Sequence, residues 1–356
     1  MEQQRLEKLC GLMRERGIDQ MVITSPANLY YLTGKFTQPM ERLLALVVDR
    51  DGNAVYYANK IFLIDQSIGA EVVTFSDTDD GMAPLAKGVR ETGTVAIDKN
   101  WTARFLLQLI ERRPRVRYLH DCTILEELRM VKDLREIEAL RQASRISDKV
   151  LAALHDRITD GMAERDVYRI SQDLYTREGG TNGGAMVQFG KNSADPHSMS
   201  GPTVVQPGDS IVIDTGVNYR RYRSDMTRTV FFRGVPPELE KAYGIVLAAN
   251  RAGVAAVRPG APLHTVDDAA RGLITEAGYG PRFIHRTGHS IGLDMHEPPD
   301  VSAGTPVVMQ PGMVFSVEPG IYLPGLGGVR IEDLVLVTED GCEVLNRLDR
   351  ALRVLD

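Results

Sequence analysis

No stretch of this 356-residue sequence stays apolar for the roughly 18 residues that a membrane-spanning helix needs. The N-terminal segment MEQQRLEKLCGLMRERG is charged and amphipathic and lacks the apolar core of a signal peptide, so a cytoplasmic location is expected. Cysteine is scarce. Cys10, Cys122 and Cys342 are odd in number, far apart and never in a CxxC spacing, which argues against a disulfide framework and for reduced thiols. Charge of one sign does not accumulate either. With 42 basic and 48 acidic residues, a net charge of −6 and no long charged run, neither nucleic acid nor an anionic membrane is expected as main partner. Phosphate loops are missing as well: ITSPANLYYLTG, after the first strand-like run, contains neither GxGxxG nor a P-loop.

What is present suggests two domains, the natural prior for this length. Over residues 1–125, strand-like runs (Met21–Thr24, Leu43–Val48, Ala54–Ala58, Glu71–Phe75, Val95–Ile97) alternate with helical patterns such as Ala103–Glu111, which predicts an α/β layer structure. From 126 to 356 the elements repeat with a period of about 100 residues. A helix opens at a capping box, Asp133 with Glu136, and carries Leu134, Ile137, Leu140, Val150, Leu151 and Leu154 on one face. A second helix over 163–178, an irregular glycine-rich stretch and a hairpin at 210–232 complete the first set. Helices at 238–257 and 263–277, another irregular stretch and a hairpin at 313–337 form the second. Each half thus offers two helices and a hairpin.

The hairpins carry acids inside apolar runs. Asp214 follows Ile211–Ile213, and Asp225 precedes Thr229–Phe232; with a turn centred near Tyr219–Arg220 the two would stand opposite each other. Glu318 and Glu332 are equidistant from Gly325 in the turn PGLGG and would likewise oppose. Buried carboxylates repel one another by several kcal/mol unless cations separate them. Taken singly, Asp214 and Asp225 could instead pair with Arg220, Arg221, Arg223 or Arg228. Four of the seven histidines (His197, His285, His289, His296) lie just before the hairpins. Four carboxylates with an imidazole form a hard, oxygen-rich set that suits two divalent ions, Mn²⁺ or Co²⁺ first, with Zn²⁺ admissible. Paired ions of this kind can hold a bridging hydroxide and polarise a carbonyl together.

The segments IDTG, SDMTRT, HRTGHSIGLDMHEPP, VEPGIY and GGVRIED resemble those of the Xaa-Pro peptidases, the prolidases and aminopeptidases P of the pita-bread metallopeptidase family. The resemblance covers the whole chain. It implies a creatinase-type N-terminal domain (1–125) and a pseudo-twofold pita-bread catalytic domain (126–356), an α/β (α+β) fold. By resemblance Asp214 would chelate one metal, Asp225 and Glu332 would bridge both, and His289 and Glu318 would complete the second. Glu318 would also carry the proton from the attacking water to the leaving nitrogen. His296 and His197 would flank the scissile carbonyl and the proline, His285 would shape the proline pocket, and Arg330 would orient a ligand carboxylate.

The expected activity is hydrolysis of the Xaa-Pro bond in dipeptides or short peptides, with a dipeptidase favoured over an aminopeptidase P. A dipeptidase must read proline's carboxylate; no arginine lies between His296 and Glu318, which leaves Arg330 or a partner subunit to supply the charge. The resemblance also implies a homodimer. More remote alternatives are a metal-free, creatinase-like C–N hydrolase and a non-catalytic pita-bread binding protein. The intact ligand set and the lack of basic tails speak against both.

Overall fold

The structure, a computed structural model, describes residues 1–120 and 123–356. Cys122 lies outside the described residues; Cys10 and Cys342 carry free thiols. The chain forms two compact units, Met1–Arg129 and Met130–Asp356.

The first unit is built on a six-stranded sheet. Its strands are β1 (Gln20–Ile23), β2 (Leu44–Asp49), β3 (Ala54–Asn59), β4 (Glu71–Phe75), β5 (Gly93–Ile97) and β6 (Val116–Leu119), in the order β4-β3-β2-β1-β5-β6. Pairings β1–β2 and β2–β3 are antiparallel and the other three parallel. The helices are α1 (Gln3–Glu15), α2 (Pro26–Thr33), α3 (Met82–Gly88), α4 (Ala103–Arg112) and α5 (Thr123–Met130). In α1, Leu6, Leu9, Cys10 and Met13 recur at the helical period and are the residues buried. The strand β6 was absent from the sequence reading. Only Val116 on it is buried, so it gives little apolar signal.

The second unit begins with α6 (Leu134–His155), where the expected capping box is formed: Asp133 accepts from the Glu136 backbone N–H and Glu136 accepts from that of Asp133. The buried stripe starts at Glu136, and Leu134, in the exposed first turn, is 83% exposed instead of packed. Helix α7 (Glu164–Arg177) leads into β7 (Thr181–Phe189), a strand where the sequence suggested only irregular chain. Its glycines disguise it, and packing requires one of them: a Cβ on Gly183 would stand 2.4 Å from the Tyr175 ring. Strands β8 (Ser210–Tyr219), β9 (Tyr222–Arg223) and β10 (Met226–Phe232) follow, then α8 (Pro237–Ala256) and α9 (His264–Glu276). The second irregular stretch likewise holds two short strands, β11 (Gly288–Ser290) and β12 (Glu297–Val301). After them come β13 (Val314–Val317), β14 (Gly320–Leu323), β15 (Gly327–Arg330), β16 (Asp333–Val337), β17 (Cys342–Val344) and β18 (Val354–Leu355).

These strands form two five-stranded sheets, β18-β10-β8-β7 with β9 on β8, and β12-β11-β13-β16-β17, plus the ribbon β14–β15. Each sheet is preceded in the chain by a helix pair, the expected repeat of a mixed α/β pita-bread unit. One apolar cluster lies between α6, α7 and the first sheet. Two more join α8 and α9 to the second sheet and the ribbon. The two sheets are stitched where β10 meets the bends of the second hairpin. Glu332 donates its backbone N–H to the Thr227 carbonyl (3.0 Å), and Arg330 donates its own to Thr229 Oγ1 (3.0 Å). That seam positions the acids.

Candidate metal centre

On the first hairpin, Asp214 pairs with Thr227. Continuing that register by one residue brings Asp225 opposite Gly216, so the two acids are diagonal neighbours and not directly opposed as expected. The cause is the turn. Tyr219 pairs with Tyr222, so the loop is Arg220–Arg221, both with positive φ (49° and 74°). That is the geometry of a tight primed turn, made here without its usual Asn or Gly. The diagonal still leaves both carboxylates on one face.

On the second hairpin the chain bends within each arm, and the register is kept through the bends. Val317 pairs with Asp333 and Gly320 with Arg330, which sets Glu318 across from Glu332. Between the hairpins stands His289 of β11, 3% exposed. Ligand atoms of Asp225, His289 and Glu332 lie within 4.8 Å of one another. Glu318 Oε1 is 3.5 Å from His289 Nε2 and accepts from Ser316 Oγ at 3.1 Å. Asp214 belongs to the same cluster of acids but is drawn to Arg330, whose Nη2 donates to its Oδ2 at 3.0 Å.

The electrostatics are unbalanced. Four carboxylates gather around the Arg330 guanidinium, with Arg223 beside Asp225, so the acids outnumber the cations by two. Burial, then the charges of Asp214 and Glu318, push the Asp225 carboxyl well above the usual range. Burial and the charge of Glu332 do the same to Glu318; burial and the charge of Asp225 do so to Glu332. Glu332 Oε2 accepts from Thr227 Oγ1 at 2.8 Å, but its Oε1 is buried with no partner among the described residues. His289 sharpens the imbalance. Its Nδ1 is 3.1 Å from the Ser290 carbonyl, which can only accept, so Nδ1 carries the hydrogen. Burial, helped by His296, lowers its pKa to about 3, and the neutral ring aims its Nε2 lone pair at Asp225 and Glu318, 3.7 and 3.5 Å away. A ring lone pair aimed at two carboxylates, with an orphaned Glu332 oxygen in the same cluster, fits a divalent cation. The residues that could hold such ions are Asp214, Asp225, His289, Glu318 and Glu332, with no sulfur among them.

The third acid of the second hairpin belongs elsewhere. Asp333 is fully buried and bound by Arg228 (2.8 Å) and Arg350 (2.8 Å). Arg228, one of the cations considered for Asp214 and Asp225, is therefore spent on it.

The acids line a cleft of about 1070 Å³ that also receives His197, His285 and His296. His197 and His296 are exposed at its wall, His296 edge-on to His289 with ring centroids 4.3 Å apart. Burial lowers the pKa of His296, and takes that of the half-buried His285 to about 4. His285 shares a 2.8 Å hydrogen bond with the Tyr322 hydroxyl, which also accepts from Arg330 Nη1 at 3.1 Å. The sequence reading missed Tyr322 and Thr227. Their signal was positional: Tyr322 lies four residues beyond Glu318 in the hairpin's alternation, and Thr227 faces Asp214 across the ladder. A hydroxyl chain escaped notice too. Ser147 meets Ser224 (2.7 Å) and Tyr175 (3.3 Å), and Tyr175 meets Thr215 (2.5 Å), bracing the residues next to Asp214 and Asp225 from behind.

Residues 138–339 match the model of metallopeptidase family M24, and residues 5–131 match the creatinase/prolidase N-terminal domain. An uncharacterised peptidase of Staphylococcus aureus is 34% identical, over 97% of this chain and 99% of its own. Among solved structures, a recombinant prolidase from Thermococcus sibiricus superposes with a TM-score of 0.96 at 32% identity, covering 100% of this chain and 99% of that one. An Xaa-Pro dipeptidase from Bacillus anthracis gives 0.91 at 29% identity and full coverage, 100% of both chains. The chain is a member of metallopeptidase family M24, and it carries the creatinase/prolidase N-terminal domain as well.

Proposed function

We propose that this metallopeptidase cleaves the peptide bond before proline in dipeptides and short peptides, with dipeptides preferred. The observation that carries the reading is a set of acids that outnumbers its cations, with Asp225 and Glu332 buried and Glu318 half-buried, beside a neutral imidazole in a cleft wide enough for a short peptide. Asp214, Asp225, His289, Glu318 and Glu332 would hold two divalent ions, Mn²⁺ or Co²⁺ before Zn²⁺. When bound, the ions would supply Lewis acidity, polarising the scissile carbonyl and lowering the pKa of water.

The chain's own groups do the rest. Glu318, whose carboxyl is pushed upward, takes the proton of the attacking water at its carboxylate and delivers it to the proline nitrogen as the C–N bond breaks. The water's oxygen stays on the acyl product. His296 and His197, on the cleft wall, flank the carbonyl and the leaving proline, and His285, tied to Tyr322, shapes the wall where the ring sits. An Xaa-Pro bond has no amide hydrogen, so selection rests on a close-fitting pocket. Arg330 orients Asp214 and Tyr322. We further propose a cytoplasmic homodimer.

Arg330 is buried and already holds Thr227, Tyr322 and Asp214, one bond from each of its nitrogens, which makes it a poor reader of proline's carboxylate; this favours the aminopeptidase P reading as the second choice. Hydrolysis of Leu-Pro, Leu-Pro-Gly and Leu-Ala by the Mn²⁺-loaded protein, with metal analysis, tests both. Leu-Pro turnover supports the dipeptidase, Leu-Pro-Gly turnover alone the aminopeptidase, and Leu-Ala cleaved equally well would defeat either.

A further inference from the structure

This inference rests on the Xaa-Pro reading and names what its cleft selects. Three arginines line the cleft: Arg223, Arg286 and Arg330. Two are spoken for. Arg330, 2% exposed, donates from Nε to Thr227 Oγ1 (3.1 Å), from Nη1 to the Tyr322 hydroxyl (3.1 Å) and from Nη2 to Asp214 (3.0 Å). Arg286 Nη1 is held by Asp300 at 2.7 Å.

Arg223 is different. Its root is fixed: it pairs with Asn218 across the hairpin and donates its backbone N–H to the Gly292 carbonyl at 2.9 Å. Its guanidinium has no hydrogen bond and no ion pair among the described residues, and its Nε is closed off from solvent without an acceptor. A donor hidden from water and left unpaired is unfavourable until an acceptor arrives. Arg223 lies two residues before Asp225, so in extended chain both side chains project to the same side. Its charge is felt by Asp225 and by His296 on the cleft wall. A guanidinium so placed stands beside the acids without being consumed by them, and its planar fork matches a carboxylate.

We propose that Arg223 reads a carboxylate of the bound peptide, making it a specificity-determining residue that favours anionic peptides over neutral ones. The carboxylate has two sources: the free terminus of proline, or an acidic side chain on the residue before it. Four peptides separate them. Leu-Pro against Leu-Pro-amide reports the terminus, and Glu-Pro-amide against Gln-Pro-amide reports the side chain.

Arg223→Gln and Arg223→Lys are to be compared with wild type on the Mn²⁺-loaded full chain, with melting temperatures as a check on folding. In Arg223→Gln, KM for the acidic member of one pair is expected to rise about 10- to 100-fold, with kcat little changed and the neutral member within about twofold. Arg223→Lys, which keeps the charge and loses the fork, is expected to fall between. An equal loss on all four peptides would mean that Arg223 only offsets the neighbouring acids, and would overturn the proposal, as would no loss at all. If wild type turns over none of the four, the Xaa-Pro reading fails by itself. Calorimetric binding of the same peptides then decides: an acid-over-neutral preference that Arg223→Gln abolishes supports the role of Arg223, and binding without such a preference, or no binding, sinks it.

Discussion

Glu332 and Asp333 are consecutive residues whose carboxylates have opposite surroundings. Asp333 is clasped by Arg228 and Arg350, each at 2.8 Å, whereas Glu332 has a buried oxygen with no partner among the described residues. One acid completes a structural ion pair; the other keeps an unpaired oxygen, where we propose that a cation binds.

Glu332→Gln is therefore expected to separate stability from activity. The amide keeps an oxygen for the Thr227 hydroxyl and removes one of the mutually repelling charges, so the metal-free variant should melt above metal-free wild type. Metal content should fall, and peptidase activity should drop on the order of 10³-fold, the share of several kcal/mol that Lewis-acid assistance supplies. Differential scanning calorimetry and elemental analysis on the same preparation check both. A variant that is fully active would remove Glu332 from the centre.

Asp333→Ala should behave in the reverse way. It leaves the Arg228 guanidinium, 2% exposed, without its partner, a loss of about 3–5 kcal/mol. For a unit of this size that corresponds to a melting temperature lower by about 10 °C. Bound metal per folded chain should stay near that of wild type.

Metal removal should act on wild type through linkage. Dialysis against EDTA is expected to abolish peptidase activity, with recovery on adding Mn²⁺ or Co²⁺. A hundredfold excess of ion over its dissociation constant should raise stability by about 2.7 kcal/mol and the melting temperature by roughly 5–10 °C. Equal melting curves with and without metal would mean that the acids bind none.

The contrast between Glu332 and Asp333 also marks how far the sequence could be read. Alternation of apolar residues predicted the hairpins, and the PGLGG turn fixed the register that sets Glu318 across from Glu332. The capping box at Asp133 and Glu136 was equally local. Partners distant in the chain were not legible. Arg228 is 105 residues from Asp333, and its side chain could as well have served Asp214. The Arg220–Arg221 turn misled by one residue, because its positive φ angles come without glycine or asparagine. Strand β7 was hidden by glycines that the Tyr175 ring requires. Leu134 fits the apolar period, yet the packed stripe of α6 begins only after it.

His155, at the end of α6, gives the protein an acid-labile element away from the acids. It is 4% exposed, its Nε2 has no partner among the described residues, and burial, with Arg353 and Arg228 nearby, lowers its pKa from 6.5 to about 4. The unfolded chain takes up a proton near pH 6.5 that the folded chain refuses until near pH 4. Its contribution is thus intact above pH 6.5 and is lost as pH falls toward 4, by about 3 kcal/mol at the acid end. Unfolding curves of wild type and His155→Gln between pH 7.5 and pH 4 measure it: the difference between the two should shift steadily against wild type on acidification. Parallel curves would show that His155 does not titrate in this way.

Gly216 tests whether the spacing of the two hairpin arms holds Asp225 in place. A Cβ at Gly216 would stand 2.2 Å from the Ser224 carbonyl oxygen and 3.7 Å from the Asp225 Cα, so Gly216→Ala must push the returning arm outward. Overpacking of this kind costs about 1–3 kcal/mol. The larger consequence is expected at the centre, because Asp225 is one of the three groups whose ligand atoms converge within 4.8 Å. Metal affinity and kcat should fall together, well beyond what the loss of stability explains at a temperature where the variant is folded. Gly244→Ala is the matched control. That glycine lies within α8, a Cβ there meets nothing within 4 Å, and the substitution should stabilise the protein by about 0.5–1 kcal/mol without touching metal binding. If both alanine variants bound metal as wild type does, the close approach of the arms would be a packing detail, and Asp225 would owe its position to the Ser147–Tyr175–Thr215 hydroxyl chain behind it.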